Sequence, residues 1–66
     1  MKLKEINFNN IAAKGLSVYD GEEEIAMGFI GEVLREIPHL AEREVKSTNY
    51  FFDVFVVRLK EIKDDE

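Results

Sequence analysis

Residues 16–29 read LSVYDGEEEIAMGF, two alternating apolar segments on either side of an Asp-Gly pair. Such a pair between alternating hydrophobic residues is the strongest short-range signal of a β-hairpin, because glycine tolerates the positive φ angle that a tight turn needs. We therefore predict a hairpin whose turn lies at Asp20 and Gly21, with a positive φ at Gly21. The three glutamates at 22–24 are expected at its tip.

Side chains alternate between the two faces of a strand, so residues two apart share a face. The first strand of the predicted hairpin then carries Leu16 and Val18 on one face. The second strand carries Ile25, Met27 and Phe29 on one face. Each strand is therefore expected to have one apolar side.

The apolar spacing changes at residue 30 from the period of a strand to that of a helix. The residues of this helical stripe are Ile30, Val33, Leu34, Ile37, Leu40 and Ala41. We predict a helix with Gly31 as its N-cap and with Val33, Leu34 and Ile37 in the core. Pro38 lacks an amide hydrogen and disfavours helical geometry at the residue before it. The helix is therefore expected either to kink at Pro38 or to be followed by a second short turn that begins there.

The segment 45–59, VKSTNYFFDVFVVRL, is dense in the β-branched and aromatic residues that are typical of strands. Asn49 is the best turn former within it. We therefore predict a short strand near 44–48 and a longer strand near 51–60.

The N-terminal residues give a weaker pattern. An imperfect alternation over residues 2–8 predicts a further strand, which the asparagine pair at 9–10 would end. Residues 11–15 form either a short helical turn closed by glycine or an irregular lead-in to the hairpin. The predicted fold class is thus α+β, with a small antiparallel sheet of about four strands and one helix, which Pro38 can break, packed on one face.

The length of 66 residues, with 45% hydrophobic and 35% charged content, predicts a single globular domain, 1–66, with a polar tail at 61–66 that frays. A core of this size rarely supplies more than about 3–5 kcal/mol of stability. The chain has no cysteine, so disulfides and cysteine-based zinc sites are excluded as additional sources. Self-association or a protein partner is the remaining candidate.

The formal net charge of −5 argues against binding to a phosphate backbone. The longest apolar run, 54–57, is far shorter than the roughly 20 residues that cross a bilayer, and no stretch of signal-peptide length follows the charged N-terminus. We therefore expect a cytoplasmic protein that acts on neither nucleic acid nor membrane, and no cofactor or small-molecule substrate is inferred. Stacking of bases on exposed aromatic residues would have to overcome the negative charge.

A metal-dependent or enzymatic site around His39, Glu36 and Glu42 is the alternative hypothesis. The three lie three residues apart and would cluster on one side of a continuous helix. Two glutamates and one imidazole are a weak ligand set, and Pro38 interrupts the helix. Neither serine lies in a nucleophile-elbow motif, so a catalytic triad is not indicated.

Two acidic clusters, at 20–24 and at 64–66, either imitate phosphates and dock on a basic partner or simply keep a small protein in solution.

The aromatic residues of the last strand need an explanation. On a strand near 51–60, one face carries Phe51, Phe55, Val57 and Leu59, and the other carries Phe52, Val54 and Val56. One helix covers only one face of a sheet. The second face is therefore either shielded by the N-terminal strand or by loops, or packed on another chain.

These features favour a small acidic non-enzymatic protein-interaction module. We expect it to bind a protein partner or a second copy of itself, as a homodimer, and its size fits an accessory or inhibitory protein of phage or mobile-element type. The residues predicted to bind the partner are Tyr50, Phe52, Val54 and Val56.

Overall fold

The computed structural model describes residues 1–62, in which one four-stranded sheet is joined to one α-helix and three short 3-10 turns. The strands are β1 (Gly15–Asp20), β2 (Glu23–Phe29), β3 (Val45–Phe51) and β4 (Val54–Leu59). The helix α1 spans Ile30–Glu36, and the 3-10 turns span Leu3–Glu5, Phe8–Asn10 and Pro38–Leu40. The predicted α+β fold is confirmed. Residues 63–66, which include the second acidic cluster and most of the predicted tail, lie outside the described residues.

The strand order across the sheet is β2-β1-β4-β3. Both outer pairs, β1 with β2 and β3 with β4, are antiparallel hairpins. The central pair, β1 with β4, is parallel, so the sheet is mixed rather than purely antiparallel. The parallel pair arises because the chain leaves β1 through β2, α1 and β3 before β4 returns beside it.

The first hairpin forms with the predicted positive φ at Gly21, which is +67°. Its turn lies one residue later than predicted, because Asp20 ends β1 and Glu23 and Glu24 belong to β2. Its loop holds two residues, Gly21 and Glu22, between the paired Asp20 and Glu23. Glycine takes the first loop position, which is where a type II′ turn requires it. The pairing shifts by one residue between Val18 and Tyr19, and Ile25 is the extra residue of the resulting bulge.

The register of this hairpin decides which side of β2 faces the core. Leu16 pairs with Gly28 and Val18 pairs with Ala26, so the two small residues of β2 lie beside the two buried residues of β1. Met27 and Phe29 therefore share the opposite face and are exposed.

The second hairpin corrects the predicted turn. Asn49 lies inside β3 opposite Val56, and the loop is formed by Phe52 and Asp53. The longer strand allows Tyr50 to pair with Phe55, whose ring it contacts edge-on at a centroid distance of 5.1 Å. Cross-strand aromatic packing thus outweighs the turn preference of asparagine.

The N-terminal strand predicted over residues 2–8 is absent. Those residues form 3-10 turns, and only Lys2 makes an isolated bridge, with Glu44. Leu3 is buried against the core and Phe8 packs edge-on against Phe55 at 6.2 Å, so these apolar side chains cover the sheet without joining it. Residues 11–14 are the irregular lead-in, the second of the two predicted alternatives.

The helix α1 starts two residues earlier than predicted, with Phe29 rather than Gly31 as its N-cap and with no side-chain cap. It ends at Glu36, and Pro38 begins the following 3-10 turn. Of the two predicted alternatives, the second short turn is the one that forms. Val33 and Ile37 are buried as expected, whereas Leu34 is only half-buried at the edge of the core.

The core lies on one side of the sheet. Its buried apolar residues are Leu3, Leu16, Val18, Val33, Ile37, Leu40, Phe55, Val57 and Leu59. The strand residues among them belong to β1 and β4. The others come from α1, from Ile37 and the 3-10 turn that follow it, and from the N-terminal residues. The opposite side of the sheet takes no part in this core.

Candidate protein-interaction surface

We call the side of the sheet opposite α1 the outer face. The register places three rows of side chains across it, each read in the order β2, β1, β4, β3. The first row is Phe29, Gly15, Val54 and Phe51. The second row is Met27, Ser17, Val56 and Asn49, and the third is Glu24, Tyr19, Arg58 and Ser47. The apolar side chains of these rows lie outside the buried core and outside the residues packed against it.

Polarity is graded along the strands of the outer face. The first row is wholly apolar, the second is mixed and the third is polar or charged. We call the two extremes the apolar end and the polar end. Phe29, Phe51 and Met27 are 67%, 64% and 69% exposed, so the apolar end presents large side chains to solvent.

Phe52 extends the apolar end beyond the sheet. It is the first loop residue of the β3–β4 hairpin and is 89% exposed. Its ring packs edge-on against the ring of Phe51, with centroids 4.6 Å apart. Its φ of +55° is the left-handed conformation that a bulky residue rarely adopts. An exposed aromatic side chain is therefore held at a strained backbone position.

The polar end is ordered by contacts within the sheet. The Ser17 hydroxyl donates a hydrogen bond of 2.7 Å to Oε2 of Glu24, which satisfies a polar group that is almost fully buried. The guanidinium of Arg58 lies 4.7 Å from the centroid of the Tyr19 ring, a cation–π contact. The negative charge thus lies on β2 and the positive charge on β4.

The residues predicted to bind a partner do not all share this surface. Val54 and Val56 lie on the outer face and are half-buried, and Phe52 lies at its rim. Tyr50 lies on the opposite face, where its ring packs against Phe55. Phe51 was expected beside Phe55 but lies on the outer face, because the hairpin loop separates the two residues.

Sequence reasoning missed Met27, Phe29 and Phe51 as members of this surface. The signal for the first two was present, since the hairpin pairs the buried Leu16 with Gly28. A strand whose small residues lie opposite the core residues must point its large ones away from the core. Phe51 could not be assigned while the turn was placed at Asn49.

The structure does not assemble the hypothesised metal site. Glu36 is the last residue of α1, and His39 lies in the following 3-10 turn and is exposed. Lys4 and Lys2 donate hydrogen bonds to Glu42 at 2.6 and 3.0 Å, and these contacts lower the pKa of Glu42 to about 2. Within residues 1–62, no group of three or more histidine, aspartate and glutamate side chains is arranged to hold a metal ion.

Comparison of the chain with protein-family models, with curated proteins and with solved structures gave no match. No helix in the part of the chain that the structure describes has the length and apolar character needed to cross a bilayer.

Proposed function

We propose that this chain is a small, acidic, non-enzymatic interaction module that binds another protein chain through the apolar end of its outer face. The observation that carries the proposal is the concentration of exposed apolar side chains there. Phe29, Phe51 and Met27 are each about two-thirds exposed, and Phe52 is almost fully exposed.

The size of this patch distinguishes it from scattered surface hydrophobic residues. A large aromatic side chain buries on the order of 200 Å² when covered, and the methionine is taken as similar in size. At the exposed fractions given above, the four side chains expose about 600 Å² together. Monomeric proteins rarely expose a contiguous apolar patch of more than a few hundred Å² unless the patch binds something. Binding of a protein surface is favoured over a small molecule because the patch is part of an open sheet face.

We extend the proposal to a cytoplasmic accessory or inhibitory protein of the kind that phages and mobile elements carry. The small size, the net charge of −5 and the lack of cysteine are compatible with that role. An inhibitor of this kind would act by covering a surface of its partner with the apolar end.

The proposal is tested with two variants of the same strand and the same charge change. Phe51→Glu places a carboxylate on the outer face, whereas Thr48→Glu places one on the other side of β3, where Thr48 is also exposed. Each protein is used to capture partners from cell extract, and bound proteins are cross-linked and mapped by mass spectrometry.

We expect wild type and Thr48→Glu to capture a protein whose cross-links map to the apolar end, and Phe51→Glu to lose it. Cross-links that map to α1 or to the N-terminal residues would contradict the proposal. Equal capture by Phe51→Glu would contradict it as well.

A further inference from the structure

We propose that the chain that covers the outer face is a second copy of this protein, packed face to face about a two-fold axis parallel to the strands. The inference rests on the proposed function, because it names the partner of the same surface. Four observations carry it: the area of the face, its graded polarity, the sides on which its charges lie, and the state of the sheet edges.

The area matches what a stable dimer needs. A standard interface buries about 800 Å² on each partner. The four exposed apolar side chains are two-thirds to nine-tenths exposed, so they provide about 600 Å² of this at on the order of 200 Å² per fully exposed side chain. The half-buried Val54 and Val56 and the exposed Arg58 lie between and beside them, so a sheet-sized partner would reach the standard size. A second copy presents a face of the same dimensions.

The graded polarity selects the direction of the symmetry axis. A two-fold axis across the strands would lay the apolar end of each copy on the polar end of the other, with Phe29 and Phe51 against the row of Arg58. An axis parallel to the strands lays apolar end on apolar end. Burial of apolar surface drives association, so the second arrangement is favoured.

Charge complementarity agrees with the same axis. A rotation about an axis parallel to the strands exchanges the two edges of the sheet, so that β2 of one copy lies over β3 of the other. Glu24 lies on β2, whereas Arg58 lies on β4. The negative side of each polar end then meets the positive side of the other, and symmetry repeats this contact twice.

The edge strands of the sheet are less suited to binding a second copy than the outer face is. The ladder of β2 is interrupted at Ile25 and the ladder of β3 at Lys46, where the register shifts between Val45 and Ser47. Bulges of this kind twist an edge strand and oppose its extension by a further strand. The face, not an edge, is therefore the surface on which the second copy packs.

The oligomeric state is the first test. Sedimentation equilibrium from about 1 μM to about 1 mM covers the dissociation constants of weak to moderate interfaces. We expect the mass to rise from 7.6 kDa to twice that value for wild type and for Thr48→Glu, and Phe51→Glu to remain monomeric throughout. Wild type that stays monomeric over the whole range would overturn the inference.

The orientation is tested with cysteine variants, since the sequence contains no cysteine. Met27 and Asn49 lie in the same row on opposite edge strands. Stacked sheets lie about 10 Å apart, a distance that a short bis-maleimide reagent spans. With the axis parallel to the strands, a mixture of Met27→Cys and Asn49→Cys cross-links, and neither variant alone does so.

Self-cross-linking of Met27→Cys alone would indicate an axis across the strands and would overturn the proposed arrangement. Failure of this inference remains distinct from failure of the proposed function. Should wild type stay monomeric while Phe51→Glu still loses a captured protein, the second copy is wrong and the interaction module stands. Should Phe51→Glu change neither mass nor capture, both proposals fail.

Discussion

The guanidinium of Arg43 donates to both carboxylate oxygens of Asp20, from Nη2 to Oδ1 at 2.7 Å and from Nη1 to Oδ2 at 3.3 Å. Nη2 also donates to the backbone carbonyl of Lys60 at 2.8 Å. Asp20 ends β1 and Lys60 follows β4, so the Arg43 side chain links the two central strands at the end where both finish. These strands are parallel and have no hairpin of their own to join them.

We predict that Arg43→Lys lowers the urea midpoint of unfolding. A lysine ammonium cannot make the bidentate contact with Asp20 and also reach the Lys60 carbonyl, because it lacks the planar fork of guanidinium. Arg35→Lys, on the exposed part of α1, is the matched control and should leave the midpoint unchanged. Equal midpoints for the two variants would show that the Arg43 contacts do not hold the strands together.

The pKa of Glu42 predicts a pH-dependent contribution of the N-terminal residues to stability. Hydrogen bonds from Lys4 and Lys2 lower this pKa from its ordinary value of 4.5 to about 2. A carboxylate whose pKa is lower in the folded state stabilises the fold above its ordinary pKa, and this stabilisation is lost as the pH falls through the lowered value.

Thermal melting of wild type and Glu42→Gln checks this prediction. Wild type should be the more stable protein at neutral pH, and the difference should shrink as the pH falls below 4.5 and vanish near 2. Because other carboxylates titrate alike in both proteins, their effects cancel. A difference that stays constant with pH would contradict the assignment.

Adding a side chain at each of two glycines should change the stability of the fold in opposite directions. Gly21 has φ +67°, and a Cβ there would lie 2.5 Å from Oε2 of Glu61. We expect Gly21→Val to destabilise the fold by more than about 1 kcal/mol, mainly through the backbone conformation. Gly31 lies in α1 with open space around its Cβ position, so Gly31→Ala should stabilise by about 0.5–1 kcal/mol. Urea denaturation of both variants measures whether the free energy of unfolding falls for Gly21→Val and rises for Gly31→Ala.

Ile37, which follows α1, and Leu34, within α1, should differ in their contribution to the core. Ile37 is buried, and Ile37→Ala is expected to cost about 2–5 kcal/mol, enough to unfold most of so small a domain. Leu34 is half-buried and lines an open groove with Ile6, Phe8 and Pro38, so Leu34→Ala should cost less and leave a folded protein. Dispersion of the amide NMR signals distinguishes the two outcomes.

Local signals in the sequence were sufficient for the first hairpin and the proline-bounded helix. Gly21 permits a positive φ that other residues disfavour, and Pro38 removes an amide hydrogen and fixes φ, so both act without a distant neighbour. The second hairpin could not be placed in this way, because the favourable contact between Tyr50 and Phe55 forms only after the strands pair. The outer face depended on that pairing, since Phe51 lies before the loop, opposite Val54, and not after it on the face of Phe55.

Phe52 supports the last prediction, in which stability and association change independently. Both Phe52→Ala and Phe52→Gly remove the exposed ring from the apolar end, so each should weaken the proposed dimer by the same factor in sedimentation equilibrium. Only glycine also relieves the backbone at φ +55°. In urea denaturation of dilute monomer, Phe52→Gly should therefore be more stable than Phe52→Ala by about 1 kcal/mol, which is the cost of the left-handed conformation for an L-residue.

Equal stability of the two variants would show that the loop relaxes to another conformation when the ring is removed. Unchanged association of both would exclude Phe52 from the interface, and the apolar end would then consist of the sheet residues alone.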